Sequence, residues 1–178
     1  MSIKKIKIID IFLIFGLCFL THFGYSILPN SLTSIFFPVN ESTWEHMKMI
    51  FTSILIISLF DYFIFKKYNI KNNNIIFSAF ISSTLSIPIF LGLYLPFYNV
   101  FQNNIFLNIT VLFITILISQ IISYNILIKE HIKCFNYISI IGIIFIYIIF
   151  SLLTYFPPNN DLFLDIKENK YGINHYVI

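Results

Sequence analysis

Residues 38–65 read PVNESTWEHMKMIFTSILIISLFDYFIF, a compact group of polar and charged residues followed by a long apolar run. A helix of about 20 mostly apolar residues spans the hydrocarbon core of a bilayer. Charged side chains at the mouth of such a helix are costly to desolvate, so a cluster of them needs a physical reason. The stretch therefore predicts a membrane helix over 43–65 and marks its entrance as the place where a site would lie.

The whole chain has the composition of an integral membrane protein. Of its 178 residues, 58% are hydrophobic and only 11% are charged, whereas soluble domains carry about 25% charged residues. Five apolar segments are long enough to span a bilayer, and they cover approximately residues 8–28, 43–65, 75–97, 105–128 and 135–156. We therefore expect an all-α integral membrane protein with a bundle of five transmembrane helices over 1–156, followed by an extracytoplasmic C-terminal tail over 157–178.

The lysines mark alternate connections between these segments. They precede the first segment, join the second to the third and join the fourth to the fifth, as Lys4, Lys5, Lys7, Lys66, Lys67, Lys71, Lys129 and Lys133. The other two connections, 29–42 and 98–104, contain no lysine. Because cytoplasmic loops are enriched in lysine, the pattern predicts a multi-pass protein of the cell membrane with its N-terminus inside and its C-terminus outside. No basic stripe with interleaved aromatic residues accompanies the loops, so nucleic acid is not an expected partner.

Small hydroxyl residues recur every four positions in the third and fourth segments, as Ser78, Ser82 and Ser86 and as Thr115, Ser119 and Ser123. Each set lies on one face of its helix. The spacing favours close helix packing through small residues. The alternative is a polar pathway lined by hydroxyl groups.

Ser42 and Glu45 have the spacing of a capping box at the start of the second segment. In such a box the Ser42 side chain accepts from the Glu45 amide, and the Glu45 carboxylate accepts from the Ser42 amide. Trp44 is expected at the level of the lipid headgroups. Lys48 lies deeper, and we expect it either to extend back to the interface or to pair with Glu41 or Glu45.

Two histidines lie at similar predicted depths on consecutive antiparallel helices. By the helix rise, His22 is about 9 Å and His46 about 6 Å inside the outer boundary. With Glu41 or Glu45 they form a His/His/carboxylate set suited to a divalent metal or to acid–base chemistry; the alternative is two histidines hydrogen-bonded within the bundle. The candidate polar site comprises His22, Asn40, Glu41, Glu45, His46 and Lys48, with His22, His46 and Glu45 as the candidate metal ligands.

The tail supplies further polar residues on the same predicted side. Asp161, Asp165, Tyr171 and His175 are expected to fold over the outer entrance of the bundle, whereas the alternative for the last few residues is a solvated, partly disordered tail. Lys167 is expected to be a surface residue distant from the site. At the opposite end, Asp10 and Asp61 have lysines nearby, and we expect them to pair at the cytoplasmic interface.

Several motifs resemble those of one known family. They are THFGY at 21–25, FFPVNESTWEHMKMIF at 36–51, FDYF at 60–63, TYFPPNNDLF at 154–163 and KYGI at 170–173. In this order they resemble the bacterial membrane family known as domain of unknown function 6512. The resemblance implies a shared membrane topology, and it implies no activity because none is established for the family.

Three functions remain open on the sequence. The first is an accessory or structural membrane protein with a polar site at its outer face, whose partners are the lipid bilayer and another membrane protein or a second copy. The second is a membrane-embedded, metal-assisted hydrolase or transferase acting on a lipid or envelope substrate, for which a divalent metal would be the cofactor. The third is a small oligomeric transporter or channel subunit.

Overall fold

The structure, a computed structural model, describes residues 2–70, 74–101, 104–130, 133–173 and 175–176. These residues form seven helices followed by a small sheet in the tail. The helices are α1 (Ile3–His22), α2 (Gly24–Ile27), α3 (Ser31–Phe36), α4 (Thr43–Lys67), α5 (Ile75–Phe101), α6 (Ile105–Leu127) and α7 (Lys133–Tyr155). The strands are β1 (Leu164–Asp165), β2 (Lys170–Tyr171) and β3 (His175–Tyr176), and they pair antiparallel in that order.

Four of the described helices, α4 to α7, are long and apolar enough to cross a membrane. Their apolar stretches cover Thr43–Lys67, Ile75–Tyr98, Ile105–Leu127 and Phe135–Tyr155. The prediction of an all-α protein is therefore confirmed, and the length and composition of these four helices suggest a lipid bilayer environment. Helix α1 is not among these four, and it carries three lysines and an aspartate in its first eight residues.

The first helix ends earlier than the predicted span, because α1 stops at His22 rather than near Leu28. Phe23 interrupts it, and its N–H bonds back to the carbonyls of Leu20 and Thr21. The chain then forms α2 and α3, two short helices that the hydropathy pattern did not predict. Asn30 caps the N-terminus of α3, because its side chain accepts hydrogen bonds from the amides of Leu32 and Thr33. Asparagine is a favoured residue at this position.

Helices α1, α4, α5 and α6 pack into a closed four-helix arrangement. Helix α1 packs against α4 and α6, and α5 packs against the same two helices. Helix α7 lies outside this arrangement, against α5 and α3. Each of the four central helices contributes apolar side chains to one core, among them Ile14, Ile54, Phe90 and Ile116.

The hydroxyl residues of α5 and α6 lie within the packed interior. Ser78 Oγ is 2.7 Å from Ser123 Oγ and also donates to the Ser123 carbonyl at 3.1 Å. Thr115 and Ser119 donate to carbonyls four residues earlier in their own helix, both at 2.8 Å. Their hydrogen bonds are thus satisfied locally while the two helices approach closely, which supports the packing interpretation.

The tail folds back onto the start of α4 and the end of α7. The backbone N–H of Trp44 donates to the Leu162 carbonyl at 2.9 Å, and the backbone N–H of Ile173 donates to the Thr154 carbonyl at 3.2 Å. Gly172 adopts φ +55°, and a Cβ at this position would lie 2.3 Å from the Thr154 carbonyl oxygen. Gly172 therefore allows both the turn and the close approach of the tail to α7.

Candidate functional site

The end of α1 and the start of α4 bring the predicted polar residues to one end of the bundle. Ser42 Oγ accepts from the Glu45 amide at 3.4 Å, as the capping prediction requires. The predicted return bond from Glu45 is wrong, because the Ser42 amide donates to Asn40 Oδ1 instead, at 2.9 Å. The Glu45 carboxylate accepts from the Val39 amide at 3.1 Å. Asn40 thus replaces Glu45 in capping this helix.

His22, Glu41 and His46 lie together, and we refer to them as the histidine cluster. The ring centroids of the two histidines are 5.2 Å apart. His22 Nε2 is 3.5 Å from Glu41 Oε1. One ligand atom from each of the three residues lies within 4.8 Å of the other two. The side chains of His22 and Glu41 are 24% and 36% exposed, so the cluster is reached from the surface.

Hydrogen bonding leaves a ring nitrogen available on each histidine. His46 Nδ1 is 2.8 Å from the Ser42 carbonyl oxygen. Since a carbonyl oxygen only accepts, Nδ1 carries the hydrogen and Nε2 of His46 keeps a free lone pair. His22 Nδ1 is buried and has no hydrogen-bond partner among the described residues. His22 Nε2 is the ring nitrogen that faces the cluster, since it lies 3.5 Å from Glu41 Oε1.

The tail reaches the cluster through Lys167. The prediction that Lys167 lies far from the site is therefore wrong. Lys167 Nζ is 3.1 Å from Glu41 Oε2. Asp165, which is buried, accepts from the Glu41 amide at 3.0 Å and from the amides of Lys167 and Glu168 at 2.9 and 3.2 Å. One carboxylate therefore orders both the segment that carries Glu41 and the turn that carries its lysine partner.

Glu45 and Lys48 form a separate buried network on another side of α4. The Lys48 ammonium donates to the Ser34 carbonyl at 2.9 Å, to Glu45 Oε2 at 2.7 Å and to Thr154 Oγ1 at 2.7 Å. Thr154 in turn donates to Glu45 Oε1 at 2.7 Å. All three donors of the ammonium are used, and Glu45, Lys48 and Thr154 are at most 1% exposed. Lys48 therefore pairs with Glu45 instead of extending to the interface.

Five of the six residues of the predicted polar site thus divide between two places. His22, Glu41 and His46 make up the cluster, while Glu45 and Lys48 tie α4 to α3 and α7. Glu45 is not placed with the histidines, because Val39, Lys48 and Thr154 occupy its oxygens. Asn40 joins the start of α4 to the tail, since its amide group donates to the Gly172 carbonyl at 2.9 Å.

The remaining residues that were predicted near the site lie outside the histidine cluster as far as the structure describes them. The Trp44 ring stacks on Phe163 at 4.9 Å between centroids and meets Phe150 edge-on at 5.3 Å, so the tail covers it. Asp161 is exposed, and Tyr171 lies in β2. The structure describes no contact of either side chain with the cluster, and the side chain of His175 lies outside the described part. Thr154 and Ser34 were missed, because no local pattern marks a residue as a partner of a distant lysine.

The comparison with known families fits the motifs noted above. Residues 1–173 match the model of a family described as a family of unknown function, DUF6512. The chain belongs to this family. The match confirms the resemblance over nearly the whole sequence of this DUF6512 member. No curated protein and no solved structure matches the chain.

Proposed function

We propose that this DUF6512 protein is a membrane protein that binds a divalent transition-metal ion, best matched by Zn²⁺, through His22, Glu41 and His46. The observation that carries the proposal is the convergence of two imidazoles and one carboxylate, with ligand atoms within 4.8 Å of one another. Histidine nitrogens and carboxylate oxygens are the ligands that zinc prefers, and two histidines with one glutamate recur in catalytic zinc sites.

The geometry of the cluster supports this ligand set. Metal–ligand distances of about 2.0–2.2 Å place tetrahedral ligand atoms about 3.4 Å apart, so small side-chain movements complete the site. Glu41 precedes the helix and is partly exposed, which leaves its carboxylate free to adjust. The hydrogen bond from His46 Nδ1 to Ser42 fixes the ring and directs Nε2 as the ligand atom, as carbonyl partners commonly do for metal-binding histidines.

Three protein ligands leave a coordination position for water or substrate. That arrangement is typical of catalytic zinc, which polarises a bound oxygen and activates water. The cluster lies where apolar helices end, so a lipid or envelope substrate would present its polar group there. We therefore favour a metal-assisted hydrolase or transferase over an accessory protein. The Glu45–Lys48–Thr154 network has no free polar group to offer a ligand, and we assign a purely structural role to that side of α4.

The membrane arrangement that we infer has five spans. Helix α1 runs antiparallel to α4 along its length, since Lys7 pairs with Asp61 at one end and His22 meets His46 at the other. A helix that accompanies a spanning helix over that distance crosses the same membrane. Its charged residues Lys7 and Asp10 are buried in the bundle rather than facing lipid. The lysine alternation supports a position of the histidine cluster at the outer face.

Zinc binding to the purified protein tests the proposed function. After loading and desalting in detergent, about one zinc per chain is expected by elemental analysis, and calorimetric titration should show a single site. His46→Ala, His22→Ala and Glu41→Gln should each lose the bound metal while retaining their helical circular dichroism. Glu168→Gln, which alters an exposed carboxylate on the neighbouring turn, is the control and should bind as the wild type does. A wild-type chain that retains no metal, or folded histidine variants that bind equally well, would refute the proposal.

A further inference from the structure

A second group of buried charges lies at the other end of α1 and α4, remote from the histidine cluster. The Lys7 ammonium is 2.9 Å from Asp10 Oδ2 and also pairs with Asp61 Oδ2. The three side chains are 6%, 3% and 1% exposed, respectively. We refer to them as the lysine–aspartate triad.

The triad has more negative than positive groups. With every group ionised, two carboxylates and one ammonium leave one uncompensated negative charge in a buried place. Helices α5 and α6, which close the bundle, contain no acidic, basic or histidine residue, and Tyr124 is the titratable group at this end of α6. Lys66 and Lys67 at the end of α4 and Lys4 and Lys5 on α1 are exposed. Ile6, Phe65, Ile75 and Leu127 form an apolar cluster at the same end of the bundle.

Two oxygen atoms of the triad lack a hydrogen-bond partner among the described residues, and one of them, Asp10 Oδ2, has only its ion pair with Lys7. Asp61 Oδ1 is buried and accepts no hydrogen bond from the described residues. Asp10 Oδ2 and Asp61 Oδ2 both contact the same ammonium, so the two carboxyl groups lie close together around Lys7. A lone buried charge costs several kcal/mol or more unless it is neutralised. Two neighbouring carboxyl groups commonly achieve this by sharing one proton, because both cannot ionise cheaply.

We propose that the lysine–aspartate triad is a proton-binding site that holds one exchangeable proton, shared between the carboxyl groups of Asp10 and Asp61, while Lys7 stays charged. The proton comes from water at that end of the bundle and returns to it, so only an O–H bond forms and breaks. Protonation makes the triad neutral and converts one carboxylate into a hydrogen-bond donor. Buried ionisable residues of this kind are the elements from which membrane proton relays are built. The site is independent of the metal proposal.

Infrared spectroscopy of the full-length protein in detergent or nanodiscs tests the proposal. Protein carrying ¹³C-labelled aspartate should show, at neutral pH, the carbonyl stretch of one protonated carboxylic acid shifted by the label. The band should disappear on strong alkalinisation. The wild-type measurement requires no variant, so it stands even if substitutions impair folding.

Substitutions of single aspartates show which residues give rise to this infrared band. Asp10→Asn and Asp61→Asn should each remove or displace it, whereas Asp161→Asn, which alters an exposed aspartate, should leave it unchanged. Absence of a protonated aspartate from the wild type at neutral pH would overturn the proposal, as would a band that survives both triad substitutions. Carboxylate bands that instead shift with added Na⁺ would show that a metal cation neutralises the triad, and that result would also overturn it.

Discussion

Lys167 Nζ lies 3.1 Å from Glu41 Oε2, while the other oxygen of the same carboxylate faces His22 at 3.5 Å. Glu41 is therefore shared between a cation of the tail and the histidine pair. A metal held by the histidines would draw Glu41 toward itself, in competition with the lysine. The tail thereby becomes a determinant of metal affinity even though it supplies none of the three ligands.

Lys167→Ala should tighten Zn²⁺ binding. The substitution removes the cation that competes for Glu41, and exposed ion pairs of this kind contribute about 0.2–1 kcal/mol, so the affinity should rise by at most about fivefold. Competition titration against a zinc-sensitive dye measures the change. Lys129→Ala, which alters an exposed lysine at the opposite end of the bundle, is the control. An unchanged or weaker affinity in the Lys167 variant would show that the ion pair does not compete.

Lys48→Met should strongly destabilise the protein. The substitution leaves the Glu45 carboxylate buried without its cation, a change that costs about 3–5 kcal/mol in buried pairs. Thr154→Val removes one hydroxyl from the same network and should cost less, about 1–3 kcal/mol. Thermal unfolding in detergent measures both effects, and Lys66→Met at the exposed end of α4 should be nearly neutral. Wild-type stability of Lys48→Met would mean that the network does not hold α3, α4 and α7 together.

The sequence predicted the meeting of the histidines better than it predicted their carboxylate partner. Similar predicted depths on consecutive antiparallel helices favoured a meeting of His22 and His46, although the depth of His22 assumed a helix continuing to about Leu28 and α1 ends at His22. Glu45 directly precedes His46 on a helix. Because successive side chains on a helix point about 100° apart, Glu45 and His46 are poorly placed to bind the same metal ion. Glu41 lies before the helix begins and is free to turn toward the rings.

The contacts of the tail could not be predicted in the same way. Asp165 and Gly172 act on residues more than 120 positions earlier in the chain, and no local pattern encodes such pairings. The start of α3 was more predictable, since Asn30 three residues before Thr33 is a capping signal. The interruption at Phe23 was not evident, because the mean hydropathy of the segment over 8–28 does not distinguish one long helix from a helix and a turn.

Gly172→Ala should detach the tail from the bundle. Its Cβ would lie 2.3 Å from the Thr154 carbonyl oxygen, which belongs to the backbone and cannot easily move, and the left-handed conformation adds about 1–2 kcal/mol. We expect a lower melting temperature and faster proteolysis after Phe156. Gly92→Ala is the matched control, since nothing lies within 4 Å of a Cβ there. Equal protease resistance of the two variants would contradict the docking role of Gly172.

Single cysteines on the two sides of α7 should report opposite faces of the membrane. In a background in which Cys18 and Cys134 are replaced by serine, Asn159→Cys follows α7 and Glu130→Cys precedes it, and both positions are exposed. If five spans run from a cytoplasmic N-terminus, an impermeant thiol reagent should label Asn159→Cys in intact cells and Glu130→Cys only after permeabilisation. The reverse pattern would invert the orientation and place the histidine cluster in the cytoplasm. Labelling of both positions from the same side would show that α7 does not cross the membrane. The tail and the histidine cluster would then both have to be assigned to a different side, because Asp165 and Lys167 join the tail to Glu41.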